Sequence, residues 1–202
     1  MSKYTDEELM TYVKEQNISA FEELFGRYEQ RIFAFFYRLL WSVEDARDCT
    51  QETFLRLWRG RAMYAPTGRF TTYIFQIAKN HFLNLHEKKR CRVSLKQAST
   101  GDFPGSEGKL ILHDSTSERA IANELGAAIH KAVMYLPEPY RLVYVLSEEQ
   151  RFSYREIADV LGCPVGTVSS RKVEAIKKLR KLLEPLRDEF LDKNPHNQEK
   201  CK

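Results

Sequence analysis

From Ser19 onward, Phe21, Leu24, Phe25, Ile32, Phe35, Phe36, Leu39 and Leu40 recur at steps of three and four. That spacing lines one side of a helix, and strand-type alternation does not accompany it. After a break at Ala65-Pro66-Thr67-Gly68, the positions Phe70, Tyr73, Ile74, Ile77, Ala78, Phe82 and Leu85 mark a further helix. It ends in Lys88, Lys89, Arg90 and Arg92, cations that suit the negative end of a helix dipole. Three earlier helix starts are signalled by a hydroxyl followed three residues later by a carboxylate: Thr5 with Glu8, Ser19 with Glu22 and Ser42 with Asp45.

The stretch between the two patterned halves is rich in Gly, Ser, Thr and Asp and carries no sustained period, so residues 96–120 read as a linker. Beyond it, four helices are expected, the first two punctuated by Leu136-Pro137-Glu138-Pro139. Ser153 and Glu156 form another capping box, Gly162 supplies a stop, and Pro164 is expected at the first position of the last helix. This is a helix-turn-helix pattern, with Ile157, Ala158, Leu161, Val165 and Val168 closing its angle and Leu179, Leu182 and Leu183 extending the buried face. The fold class is all-α: two small helical domains, residues 1–95 and 121–186, a flexible linker, and a polar tail from 187 to 202 expected to be disordered.

Composition narrows the picture. The 32 Lys and Arg against 28 Asp and Glu leave a net charge of +4, too small by itself to announce a nucleic-acid partner. No stretch approaches the length needed to cross a bilayer, and MSKYTDEELM is acidic where a signal peptide would be basic, so a cytoplasmic protein without membrane insertion is expected. Cys49, Cys91, Cys163 and Cys201 are scattered without metal-ligand spacing and read as reduced thiols, and His81, His86, His113, His130 and His196 form no ligand cluster. Phosphate-binding glycine loops, nucleophile elbows and paired catalytic motifs are likewise missing from the sequence. Neither an enzyme nor a metal or cofactor is expected.

Local charge says more than net charge. Between residues 164 and 181 six basic residues face one acidic residue, Glu174. A helix of this kind can enter the major groove by its first turns, setting Arg and Ser against base edges and outlying lysines against phosphates.

The block PVGTVSSRKVEAIKKLRKLL, preceded by LPEPYRLVYVLSEEQRFSYREIADVLGC, resembles region four of the sigma-70 family, specifically its extracytoplasmic-function (ECF) group. The resemblance implies reading of a promoter minus-35 element through Thr167, Ser169, Ser170, Arg171, Lys172 and Glu174, with Lys178 on the backbone. Ser169 and Glu174 stand where the family commonly has a basic residue; a carboxylate there would repel phosphate or accept from cytosine N4.

The first half resembles sigma region two, most specifically in the string DCTQETFLRLW. Asp45, Asp48, Gln51, Glu52 and Leu55 share one stripe of a helix, which the resemblance assigns to the coiled coil of the polymerase beta-prime subunit. The helix after it, with the loop before that helix, is implied to capture unpaired minus-10 bases through Arg61, Tyr64, Arg69, Tyr73, Lys79, Asn80, Asn84, Lys88 and Arg90, a mix of aromatics, amides and cations that suits single-stranded DNA. Tyr73 replaces a frequent Trp and Asn84 a frequent Asp. The implied partners are core RNA polymerase, through its beta-prime and beta subunits, promoter DNA and an anti-sigma factor. The competing reading is a stand-alone helix-turn-helix regulator of operator DNA, which has no reason to carry DCTQETFLRLW or the aromatic and basic helix after it.

Overall fold

The computed structural model describes residues 4–96 and 117–192, and side chains over 4–87 and 126–185. The expected linker and the end of the tail lie outside the described residues. Eight α-helices are described: α1 (Asp6–Lys14), α2 (Ile18–Leu40), α3 (Val43–Gly60), α4 (Phe70–Lys96), α5 (Ser117–Met134), α6 (Glu138–Tyr144), α7 (Tyr154–Leu161) and α8 (Val165–Asp192). A 3-10 turn, Arg61–Met63, follows α3, and a π turn, Val145–Glu149, follows α6. Residues 187–192, expected in the tail, belong to α8.

Helix starts follow local chemistry. Thr5 and Glu8 form the capping box of α1, Ser42 Oγ accepts from Asp45 N–H at 3.1 Å, and Ser153 with Glu156 caps α7. Two starts differ from expectation. Asn17, not Ser19, caps α2, its Oδ1 accepting from Ala20 N–H at 3.0 Å. Pro164 sits one position earlier than expected, its carbonyl accepting from Thr167 and Val168 as α8 begins at Val165. The cap of α4 comes from another helix: Glu7 on α1 accepts from Phe70 N–H at 2.9 Å.

The first four helices share a core in which α2 is central. Leu24, Ile32, Phe35, Phe36 and Leu39 pack against Leu9, Met10 and Val13 of α1, Phe54 and Leu57 of α3, and Phe70, Ile74, Phe75 and Phe82 of α4, all buried. The same core continues into the second half, joining Ala132, Val133 and Leu136 to Leu142, Val143, Val145, Leu146, Ile157, Val160, Val168, Ala175 and Leu179. Val165 and Leu182, expected inside, are 45% and 41% exposed; Val160 and Ala175 fill the buried face instead. Gly162 takes φ +67°, the left-handed stop that ends α7.

The two halves pack on one another. Arg141 of α6, itself buried, donates to Leu39 O at the end of α2 (3.1 Å) and to Leu136 O (3.2 Å). Trp41 closes α2 with φ +55°, a conformation costing roughly 1–2 kcal/mol for a residue with a side chain. Its ring lies against the buried His130 of α5, centroids 3.4 Å apart. Arg38 Nη1 lies 3.1 Å from His130 Nδ1, and Arg38 Nε pairs with Glu149 at 2.7 Å.

Burial, reinforced by the nearby charges of Arg38 and Arg141, pushes the His130 imidazole down to about 3. The sign of its pH effect follows. An unfolded imidazole of ordinary pKa takes up a proton below about 6.5 that the folded one refuses, so this group destabilises the fold as pH falls. From pH 7 to pH 5 the loss is expected to be about 2 kcal/mol, and it keeps growing below pH 5 until the pH reaches the low folded pKa. Glu149, raised by burial, acts in the opposite sense, so the test is a difference: urea unfolding at the two pH values for the wild type and His130→Gln. An equal pH dependence in both proteins would contradict the assignment.

Candidate nucleic-acid interface

The stripe on α3 is a consequence of what the helix buries. Ala46, Cys49, Thr50, Thr53, Phe54 and Leu57 face the core, so Asp45, Asp48, Gln51 and Leu55 are left exposed on the other side. Leu55 is 47% exposed, an apolar residue held out beside carboxylates. Glu52 is half-buried and accepts from Arg56 Nε at 2.8 Å, a bond that holds its carboxyl below the usual range. A groove of about 590 Å³ opens next to the stripe, lined by Phe25, Gln30, Phe33, Arg47 and Gln51. Phe33 and Arg47 were not singled out from sequence; their exposure depends on how α2 meets α3.

The residues expected at minus-10 DNA separate into three environments. Arg61 lies over the Trp58 ring, 4.4 Å from its centroid, and donates to Trp58 O at 2.7 Å. Tyr64 is buried, with its ring 5.1 Å from Tyr73 and its hydroxyl without a hydrogen-bond partner among the described residues. Burial raises both phenols, so neither ionises at neutral pH. Arg69 is exposed at the mouth of the loop, while Asn80 and Asn84 project from α4 to solvent. Lys79 is half-buried and its pKa is lowered by lost hydration. Lys88 and Arg90 belong to α4, but their side chains lie outside the described residues.

On α8 the buried positions Val168, Lys172, Ala175 and Leu179 step by four, three and four, which turns Gly166, Ser170, Val173 and Lys177 outward. Thr167, Ser169, Arg171 and Glu174 flank that face, half-exposed, and Lys178 reaches over Tyr140, 5.7 Å from its ring centroid. Lys172 departs from expectation. It is 9% exposed, and its ammonium bonds Ser147 and Glu148 beside the Tyr144 ring. It ties α8 to the π turn rather than reaching toward a phosphate. Val173, 63% exposed, was missed by the sequence reading because an apolar residue on a helix is ordinarily assigned to the core. On the outward face it offers an apolar contact of the kind that meets a thymine methyl.

No described helix is long and apolar enough to cross a membrane, and no group of three His, Cys, Asp or Glu that could hold a metal occurs among the described residues.

The chain matches the profile of Sigma-70 region 2 over residues 24–91 and that of Sigma-70, region 4 over residues 116–179. It is 31% identical over 188 residues to the RNA polymerase sigma-H factor of Pseudomonas aeruginosa, covering 92% of this chain and 97% of that one. It is 30% identical over 180 residues to the ECF RNA polymerase sigma factor SigW of Bacillus subtilis, covering 86% and 94%. Its fold is similar to that of CnrH, solved in complex with the cytosolic domain of CnrY (TM-score 0.64, 24% identity, 89% of this chain and 97% of that chain). It is also similar to that of RpoE of Bartonella quintana, solved with the anti-sigma factor NepR (TM-score 0.62, 23% identity, 81% and 96%). With both signature regions in order along one chain, and relatives matched over nearly their full length, the protein belongs to the ECF group of sigma-70-family RNA polymerase sigma factors.

Proposed function

We propose that this chain binds core RNA polymerase through Asp45, Asp48, Gln51, Glu52 and Leu55 and directs it to promoters. In this reading minus-10 DNA is held by Arg61, Arg69, Tyr73, Lys79, Asn80, Asn84, Lys88 and Arg90, with Tyr64 supporting the loop from beneath. The minus-35 duplex is read by Thr167, Ser169, Ser170, Arg171 and Glu174, with Val173 beside them and Lys178 on the backbone. Residues 1–95 and 121–186 are the two functional units. The bond-making chemistry belongs to the polymerase, and the chain acts in the cytoplasm by differential binding. Since RpoE was solved with an anti-sigma factor, a partner of that class is proposed here too.

One observation carries this reading above a stand-alone regulator: the same chain that carries a helix-turn-helix also exposes Asp45, Asp48, Gln51 and Leu55 along α3. An operator-binding protein has no use for such a stripe.

The test is run-off transcription by purified core polymerase, with and without the chain, from the promoter preceding its own gene. A discrete start that depends on the chain is expected. Arg171→Ala is expected to weaken that start roughly 5- to 100-fold, the value of one good base contact at about 1–3 kcal/mol. If no start forms but the chain alone shifts duplex DNA sequence-specifically, the regulator reading replaces this one.

A further inference from the structure

We propose that α1, which lies ahead of the stretch matched to region 2, is a positioning element for minus-10 DNA: Glu7 and Lys14 hold the two ends of the base-reading loop between α3 and α4. The proposal deepens the function just given and rests on it for the role of that loop.

The loop hangs from two buried anchors. Tyr64 is 4% exposed and Phe70 fully buried, while Ala65, Pro66, Thr67, Gly68 and Arg69 between them are all exposed. Within that stretch Thr67 N–H bonds Ala65 O at 2.8 Å, and a bond spanning two residues cannot set where anchors six residues apart will lie. Both anchors are bonded through their backbones to α1. Lys14 Nζ donates to Tyr64 O at 3.3 Å, and Glu7 Oε1 accepts from Phe70 N–H at 2.9 Å. Seven residues are close to two turns, so Glu7 and Lys14 share one side of α1 and stand about 10 Å apart along it, at roughly 1.5 Å per residue. The loop's ends are thus tied to one rigid segment rather than to each other.

The brace is itself fixed. Leu9, Met10 and Val13 of α1 are buried, and Asp6 bonds both Arg27 and Tyr28 of α2. The Tyr28 hydroxyl also lies 2.7 Å from Thr71 Oγ1 in the first turn of α4, and its ring stands edge-on to Phe70 at 5.2 Å. The exit of the loop is therefore held twice, by Glu7 and through Tyr28. At the entrance Tyr64 packs on Tyr73, ring centroids 5.1 Å apart, so a shift of Tyr64 passes to a residue proposed to meet the bases. A charged partner makes a stronger bond to a backbone group than a neutral one, and a loop already held in its binding shape need not be ordered when DNA arrives. Loosening either end lowers the apparent affinity in proportion to the fraction of chains whose loop keeps that shape.

Amide hydrogen exchange of the full chain tests the brace without DNA. Glu7→Ala is expected to speed exchange of the Phe70 amide, and Lys14→Met that of the Tyr64 amide, each at least about tenfold, while the amides of α2 and α3 stay protected. Glu7→Gln keeps a carbonyl oxygen for the Phe70 N–H and is expected to exchange much as the wild type does. Lys14 is exposed, so its variant leaves the core intact.

The second measurement uses holoenzyme assembled from the full chain and purified core polymerase, with a fluorescent single strand carrying the non-template minus-10 element of the promoter preceding the gene. Glu7→Ala and Lys14→Met are each expected to weaken this strand about fivefold. Affinity for core polymerase is expected to be unchanged, as is that for a strand whose minus-10 bases have been replaced and which binds by its backbone. Exchange indifferent to both variants overturns the proposal. Faster exchange with undiminished affinity for the matched strand overturns it too, leaving α1 as scaffold alone. Asn80→Ala, outside both α1 and the loop, tells that failure from failure of the minus-10 reading: if it also leaves the matched strand unaffected, α4 does not read that element.

Discussion

Phe36→Ala is expected to destabilise the protein by about 3–5 kcal/mol, the range found when a large buried aromatic is cut to alanine and the cavity cannot collapse. Phe36 is fully buried on α2, 5.5 Å centroid to centroid from Phe35 and 6.0 Å from the imidazole of His81 on α4. It faces α4 from the middle of α2 at 0% exposure, so a neighbour can fill the gap only by leaving its own buried contacts. Against the roughly 5–15 kcal/mol that a domain has in total, the loss is a large fraction. Urea unfolding followed by circular dichroism measures it, with Leu55→Ala as the exposed control, expected within about 0.5 kcal/mol of wild type. Equal midpoints for the two variants would show that α2 is not the centre of this core.

Asp48→Arg should have the largest effect on transcription with almost none on folding. Asp48 is exposed midway along the α3 stripe, between Asp45 and Leu55, and the buried side of the helix is not touched by the change. Charge reversal removes an attraction and adds a repulsion at the proposed contact with polymerase, and like charges set against each other across an interface cost several kcal/mol. A fall of at least about tenfold in affinity for core polymerase is expected, with loss of the run-off start and an unchanged unfolding midpoint. Full transcription by this variant would remove α3 from the docking surface. Because Arg171→Ala leaves α3 intact, it should retain polymerase binding while losing promoter selection, which separates the two surfaces.

Much of this was legible in the chain because it rests on neighbours in sequence. A capping box needs only residues three apart, and Thr5 with Glu8 and Ser153 with Glu156 cap their helices as read. Steps of three and four placed Phe35, Phe36, Phe70 and Phe82 inside. The exposure of Asp45, Asp48, Gln51 and Leu55 on one side of α3 follows from the same periodicity. Family resemblance, carried by strings such as DCTQETFLRLW, added roles that periodicity cannot supply.

The departures share one cause. Lys172 was read as a free cation because lysines on a basic helix usually are, but the π turn brings Glu148 and Ser147 to it. Val165 and Leu182 fit an apolar pattern, but among the described residues they stay 45% and 41% exposed. Ser19 was read as the cap of α2, but the helix begins at Ile18, which places Ser19 inside its first turn and leaves Asn17 to accept from Ala20 N–H.

Local sequence therefore determined the helices, their caps and stops, the inward residues of each and the helix-turn-helix with its basic face, since these depend on interactions within a few residues of the chain. Tertiary structure alone decided that Glu7 caps α4, that Arg141 bridges to Leu39 O, that Trp41 rests on His130, and that α7 lies across Arg69 and Gln76. Each of those joins groups tens of residues apart, and their energy appears only once separate helices have packed, which no pattern of spacing along one helix records.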